Sequence, residues 1–329
     1  MTGAWRRFGR PILGIALLVA VVATVSPGAI GSRLAEAQLG LVALGVLGLT
    51  AIHVINAAGW RAILATTAGV RVPWRTTFAL YYAAQAIGGV TPANLGGDVH
   101  RAAAFRGAGH GWAAAVAPLI VQRATSYLAL SALSLLGLAV LATRTDAAGA
   151  FVAAGLAFAA AVAAAAWILL APPRPLRGAH AWLIGVIGGS AADTGDVRRL
   201  GDASFIGFAH GIVFHAGSIG LTWLIVLAVD PGLTAVSVPA ALAVARLSLA
   251  VPFTPSGLGV QEGALTILFA TLGLLVEVAL TAMLLSRLSL VLTTVIGVGL
   301  LMRPHPSLPA RGTPSELRHA GNNTGRSVP

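Results

Sequence analysis

Thirty-one residues from Trp112 to Ala142 carry a single charged side chain, Arg123. Apolar runs of this kind follow one another along the chain, and they decide what it can fold into. A soluble domain has about 25% charged residues. This chain of 329 residues has 9%, against 57% hydrophobic residues and a mean hydropathy of +0.87. So few charges cannot cover a water-facing surface. The sequence therefore predicts an all-α polytopic membrane protein, whose helices satisfy their own backbone groups in lipid.

The same composition removes several chemistries. There is no cysteine, hence no disulfide, thiolate metal site or thiol nucleophile. There is no lysine either, so all 21 fixed side-chain cations are arginine. Arginine forks onto phosphate oxygens, although an alanine-, glycine- and arginine-rich composition explains that bias without a ligand. A net charge of +11 would point to nucleic acid in a soluble protein. In a membrane protein it fits cytoplasmic loops near anionic headgroups, and no nucleic-acid partner is expected. No phosphate-cradling glycine motif ending in Lys-Ser or Lys-Thr is present, so ATP is not an expected ligand. His210 and His215 lie about 140° apart around a helix, not on the shared face of an i, i+4 metal pair. Neither a metal nor a cofactor is expected.

Six full spans are predicted, at about 12–30, 39–58, 112–142, 149–171, 205–229 and 278–302. Arg6-Arg7-Phe8 also fits a twin-arginine signal, but the hydrophobic remainder favours a retained first span. His53 and Asn56, near the end of the second span, read as interfacial or packing groups. Residues 59–77 read as a basic loop with Arg61, Arg71 and Arg75, and 172–202 as the longest polar loop. Residues 1–302 form one transmembrane domain. Residues 303–329, rich in Pro, Gly, Asn and Arg, read as a disordered cytoplasmic tail.

Two stretches break the pattern and resemble each other. Thr91-Pro92-Ala93-Asn94-Leu95-Gly96-Gly97-Asp98 and Thr254-Pro255-Ser256-Gly257-Leu258-Gly259-Val260-Gln261-Glu262 both read Thr-Pro-x-x-Leu-Gly, then an acid. Arg123 follows Thr91 by 32 residues, and Arg287 follows Thr254 by 33. The arms around the breaks are short or interrupted: Thr76–Val90 is an apolar run of about 15 residues against the roughly 20 needed to cross a bilayer, and Thr234–Phe253 and Gly259–Leu275 flank the second break. They are read as two re-entrant hairpins centred on Pro92 and Pro255. If the second pair of arms crossed fully, the count would rise from six helices to eight.

Arginine placement orients the chain. Loops 1–11, 59–77, 172–202 and 303–329 hold 14 arginines, whereas 31–38, 143–148 and 230–233 hold only Arg33 and Arg144. The first set is assigned to the cytoplasm, with both termini inside. The two Thr-Pro units then run in opposite directions, as in inverted-topology repeats whose broken helices meet near the midplane. A chance match among common residues is the competing explanation.

The charges that matter sit beside the breaks: Asp98 and Arg101 at the first, Glu262 at the second, and Arg123 and Arg287 inside apolar helices. Arg246 precedes the second hairpin. A charge at bilayer depth costs roughly 2.5–3.5 kcal/mol on the lenient insertion scale, so these residues must pair or face water. One reading has the acids simply neutralise the arginines. The other has Asp98, Arg101, Arg123, Glu262 and Arg287 line a polar cavity that receives a headgroup. Thr91, Pro92, Gly96, Gly97, Thr254, Pro255, Gly257 and Gly259 shape the breaks, the glycines allowing sharp turns and close approach.

The pattern Gly88-Gly89-Val90-Thr91-Pro92, Gly96-Gly97-Asp98-Val99-His100-Arg101, Gln122-Arg123 and Pro252-Phe253-Thr254-Pro255-Ser256-Gly257-Leu258-Gly259-Val260-Gln261-Glu262-Gly263-Ala264 resembles the lysylphosphatidylglycerol synthase transmembrane-region family. The resemblance covers roughly residues 10–302. Family members often have Glu-Arg where this chain has Gln122-Arg123. The resemblance implies a flippase-like domain that moves aminoacylated phosphatidylglycerol or related lipids between leaflets. The soluble aminoacyl-transferase of two-domain members has no counterpart in the tail, so synthase activity is not carried over.

The leading expectation is a lipid translocase, not an enzyme, in the cell membrane. Its partner would be an anionic or aminoacylated phospholipid or a polyprenyl-phosphate-linked lipid, with a homo-oligomer or a separate synthase as possible company. The competing class is a membrane enzyme or accessory subunit acting on a lipid-linked substrate. Asp193, Asp196 and Asp202 are the only clustered acids, in a loop too short for a nucleotide-sugar domain.

Overall fold

A computed structural model of the protein describes residues 18–23, 25–91, 94–144, 149–150, 152–155, 157, 194–250, 254–303 and 308. Among these residues all regular structure is helical. The main elements are α1 (Pro27–Glu36), α2 (Leu39–Ala51), α3 (His53–Ala68), α4 (Trp74–Gly89), α5 (Leu95–Gly107), α6 (Trp112–Ala142), α7 (Thr194–Val229), α8 (Ser237–Ala245), α9 (Val260–Thr271) and α10 (Val276–Leu301). Single 3₁₀ turns follow α8 at Arg246–Ala250 and precede α9 at Pro255–Gly257. The protein is an all-α membrane protein. Four described helical stretches are long and apolar enough to cross a bilayer: Leu39–Ala68, Ala114–Ala142, Arg198–Val229 and Val276–Leu301.

These four correspond to the predicted second, third, fifth and last spans, with three corrections at their edges. The second runs ten residues past Ala58 to Ala68, because Arg61 is accommodated on a helix instead of in a loop. Its Nε donates to the Val72 carbonyl at 2.7 Å, and its guanidinium lies 4.9 Å from the Trp74 ring. Gly69 then ends the helix at φ 67°, the left-handed stop that glycine adopts without strain. The fifth span starts at Thr194, so part of the predicted polar loop is its first turns. The first apolar run is interrupted at Ser26, whose hydroxyl accepts from the Ala29 amide at 3.2 Å, with Pro27 opening α1. Most of the fourth predicted span, most of the polar loop and nearly all of the tail lie outside the described residues, as does Pro92.

Little water-driven collapse is available between helices in lipid, so close approach and hydrogen bonding must hold them together. The close approaches are specific. A Cβ added to Gly297 on α10 would stand 2.2 Å from the Tyr82 carbonyl of α4, and one added to Gly137 on α6 would stand 2.8 Å from the Ala240 carbonyl of α8. Ser134 on α6 also donates to the Ala243 carbonyl of α8 at 2.9 Å. The packing is thus reciprocal: α4 and α5 form a hairpin that leans on α10, while α8 and α9 form a hairpin whose first arm leans on α6. Helix α7 packs against α2, α3 and α6 and closes the side of the bundle. Apolar side chains such as Leu44, Leu47, Val291 and Val295 point outward, where lipid would meet them.

Candidate functional site

The site is built at the two breaks. At the first, α4 ends at Gly89 and α5 starts at Leu95. The Thr91 hydroxyl bridges them, donating to the Gly88 carbonyl and accepting from the Gly96 amide, both at 3.0 Å. Asn94 turns the chain at φ 58°, and its amide donates to Gln85 Oε1 at 3.0 Å. A Cβ on Gly88 would land 1.3 Å from Asn94 Oδ1, and one on Gly97 2.4 Å from the Ala84 carbonyl. Only glycine lets the arms close this tightly.

At the second break the Thr254 hydroxyl donates to the Leu258 carbonyl at 2.9 Å. Ser256, Gly257 and Gly259 all have positive φ, at 49°, 66° and 77°. Asn94 and Ser256 are the two non-glycine residues with positive φ among the described residues, one at each break. Such backbone is uncommon outside glycine and needs surrounding structure to hold it. A direct bond joins the breaks: Ser256 Oγ donates to the Gly89 carbonyl at 3.1 Å.

Each acid opens the helix after its break and pairs with an arginine 25 residues on. Asp98 accepts from Arg101 Nη2 at 2.6 Å through Oδ1, and from Arg123 Nη2 through Oδ2. Glu262 Oε1 accepts from Arg287 Nε at 2.7 Å and Nη2 at 2.6 Å, while Oε2 accepts from the Gly259 amide at 2.8 Å. Arg287 also donates to the Ser256 carbonyl at 2.8 Å, which ties the guanidinium to the turn itself. Gln122 links Arg101 to α3. It accepts from Arg101 Nη1 at 3.0 Å and donates to the Asn56 carbonyl at 2.7 Å. Arg101 is further covered by the Trp60 and Tyr81 rings, 5.1 and 5.2 Å from its guanidinium.

Between the breaks lies a cavity of about 370 Å³. Asp98, Arg101, Arg123 and Arg287 all reach its wall, so the structure brings four of the five predicted charged residues to one space. Glu262 is the exception and corrects the prediction. It is 0% exposed and sits behind the wall, because its two oxygens are spent on the Gly259 amide and Arg287. Of the residues predicted to shape the breaks, Thr254, Gly257 and Gly259 are buried, and Thr91, Gly96 and Gly97 frame the first turn.

Sequence reasoning missed part of the wall. His53 and Asn56, taken for interfacial or packing groups, face the cavity, as do Gln85 and Asn94. Gln85 Nε2 meets His53 Nδ1 at 3.0 Å, so a hydrogen-bonded chain runs from Asn94 at the first break through Gln85 to α3. The available signal was the one-turn spacing of His53 and Asn56 inside an apolar stretch. His210 and His215 do not meet: His210 Nδ1 contacts the Ile206 carbonyl at 2.8 Å, and His215 Nε2 contacts Ser126 Oγ at 3.0 Å. Among the described residues no group of three or more His, Asp or Glu side chains is placed to hold a metal ion.

No curated protein matches the chain. The family profile described as "Lysylphosphatidylglycerol synthase TM region" matches residues 11–297. That stretch takes in both breaks, both acid–arginine pairs, three of the four described spans and the last as far as residue 297. The chain therefore belongs to the lysylphosphatidylglycerol synthase transmembrane-region family, whose name ties it to a membrane-lipid process.

Proposed function

We propose that the protein translocates a lipid headgroup between leaflets and does no chemistry on it. The observation that carries this reading is the charged cavity at the meeting point of two broken helices, reached by Asp98, Arg101, Arg123 and Arg287. Charges at bilayer depth are retained where they serve a pathway, and irregular backbone survives there only against protein or a wet cavity. The hairpins α4–α5 and α8–α9 enter the membrane from opposite sides as inverted repeats, with both termini in the cytoplasm. The equal acid-to-arginine spacing, the one positive-φ polar residue per break and the reciprocal packing support that relationship. The headgroup crosses through the cavity while its acyl tails stay in the bilayer. The Ser256–Gly89 contact closes the passage in the state described. The cargo is an anionic or aminoacylated phospholipid, or a polyprenyl-phosphate-linked lipid, delivered by a separate enzyme.

The test uses vesicles holding the purified protein and fluorescent phosphatidylglycerol, with dithionite bleaching the outer leaflet. Protein-dependent bleaching beyond half of the label, with the lipid intact by mass spectrometry, is the expected result. Arg123→Ala should slow it roughly tenfold, the value of one charge-assisted hydrogen bond, with Arg123→Lys in between. Equal bleaching with and without protein, across phosphatidylglycerol, its aminoacylated form and polyprenyl phosphate, refutes translocation. A chemically altered lipid refutes the absence of catalysis.

A further inference from the structure

We propose that Arg246 is the anchor for the phosphate of the headgroup, a role that rests on reading the cavity as the headgroup's passage. Four arginines reach the cavity wall: Arg101, Arg123, Arg246 and Arg287. Two carboxylates serve them. Asp98 holds Arg101 and Arg123, and Glu262 holds Arg287. Nothing among the described residues holds Arg246 in a hydrogen bond or salt bridge, and its Nε is buried without a partner. The cavity is therefore left with an excess of two positive charges, and Arg246 is the one whose fork is open.

Position strengthens the case. Arg246 stands where α8 gives way to the 3₁₀ turn leading into the second break. It shares the cavity wall with His53, His215 and Arg287. The two histidines are already engaged, by Gln85 and by Ser126, and neither supplies a negative charge. An anion entering the cavity finds in Arg246 a donor that need not give up a carboxylate first. The planar guanidinium matches two phosphate oxygens at once. Binding at Arg287, Arg101 or Arg123 would instead compete with an existing ion pair. This separates two conditions that composition alone merges: three arginines are held by an acid before the ligand arrives, and one is open to it. The ligand class is a phosphate ester, carried on a lipid.

The experiment measures binding by the purified full chain in detergent micelles. The probes are fluorescent phosphatidylglycerol, fluorescent diacylglycerol without phosphate, and soluble glycerol 3-phosphate. The parent should bind phosphatidylglycerol well above diacylglycerol. Arg246→Gln should weaken phosphatidylglycerol binding about tenfold or more, which is about 1.4 kcal/mol, and leave diacylglycerol unchanged. Arg246→Lys keeps the charge without the fork and should fall between; it also stands in if the glutamine variant does not stay monodisperse. Phosphatidylglycerol binding at the parental level in both variants overturns the assignment and leaves the translocation reading standing. Glycerol 3-phosphate binding as tightly as the lipid, and lost with Arg246, keeps the anchor but overturns the lipid as its source. A parent that does not prefer the phosphate-bearing lipid overturns both.

Discussion

Replacing Glu262 and Arg287 by glutamine, singly and together, tests what the second break rests on. In Arg287→Gln the Glu262 carboxylate keeps the Gly259 amide but loses the guanidinium, at a site with 0% exposure. Breaking a buried pair from one side costs about 3–5 kcal/mol, because the other charge is left uncompensated. Glu262→Gln is milder. The stranded cation keeps its bond to the Ser256 carbonyl, and its side chain is 19% exposed toward the cavity, so the lower end of that range applies. Removing both charges leaves no uncompensated ion, and the double variant should recover a large part of the loss. Stability is read from unfolding in mixed micelles as denaturing detergent is added, followed by tryptophan fluorescence. The order expected is Arg287→Gln worst, Glu262→Gln next, and the double variant better than the sum, with a coupling of about 2 kcal/mol. Additive single effects, with coupling under about 0.5 kcal/mol, would refute the claim that the pair acts as a unit.

Two further outcomes follow from the same geometry. A Cβ at Gly89 would lie 4.0 Å from Ser256 Oγ, within disulfide reach after small adjustment; in a chain without native cysteine, Gly89→Cys with Ser256→Cys should cross-link on oxidation, stop translocation, and release it on reduction, and unimpaired transport by the cross-linked protein would sink the gate assigned to this contact. Gly297→Ala forces a methyl against the Tyr82 carbonyl, 2.2 Å away, and should cost about 1–3 kcal/mol as overpacking does, whereas Gly299→Ala, with nothing within 4 Å, should be neutral in the same unfolding assay.

The apolar runs were legible because their lengths are set by the bilayer: α6 occupies Trp112–Ala142, the bounds its hydropathy marks. The breaks were legible because Thr, Gly and an acid recur in order. What escaped was whatever depends on a partner distant in sequence. Arg61 looked like a loop residue since nothing local shows that Val72 and Trp74 receive it. Glu262 looked like a wall residue, since spacing places an acid near a break but cannot say that a backbone amide and an arginine will enclose it. In the sequence Arg246 only precedes the second hairpin, and its importance comes from a comparison the folded chain allows: which cavity arginines have an acid and which do not.

The acid–arginine pairs at the two breaks are not equally free. Side chains of Asp98 and Arg123 are 20% and 28% exposed, and Asp98 is shared with Arg101, whereas Glu262 is sealed. A bond that water can reach is exchanged readily, and one that it cannot reach is a rivet. In the translocation proposed above, the first hairpin is the leaf that swings and the second the leaf screwed to the frame. Two breaks built on the same order of residues thus differ as a door differs from its jamb.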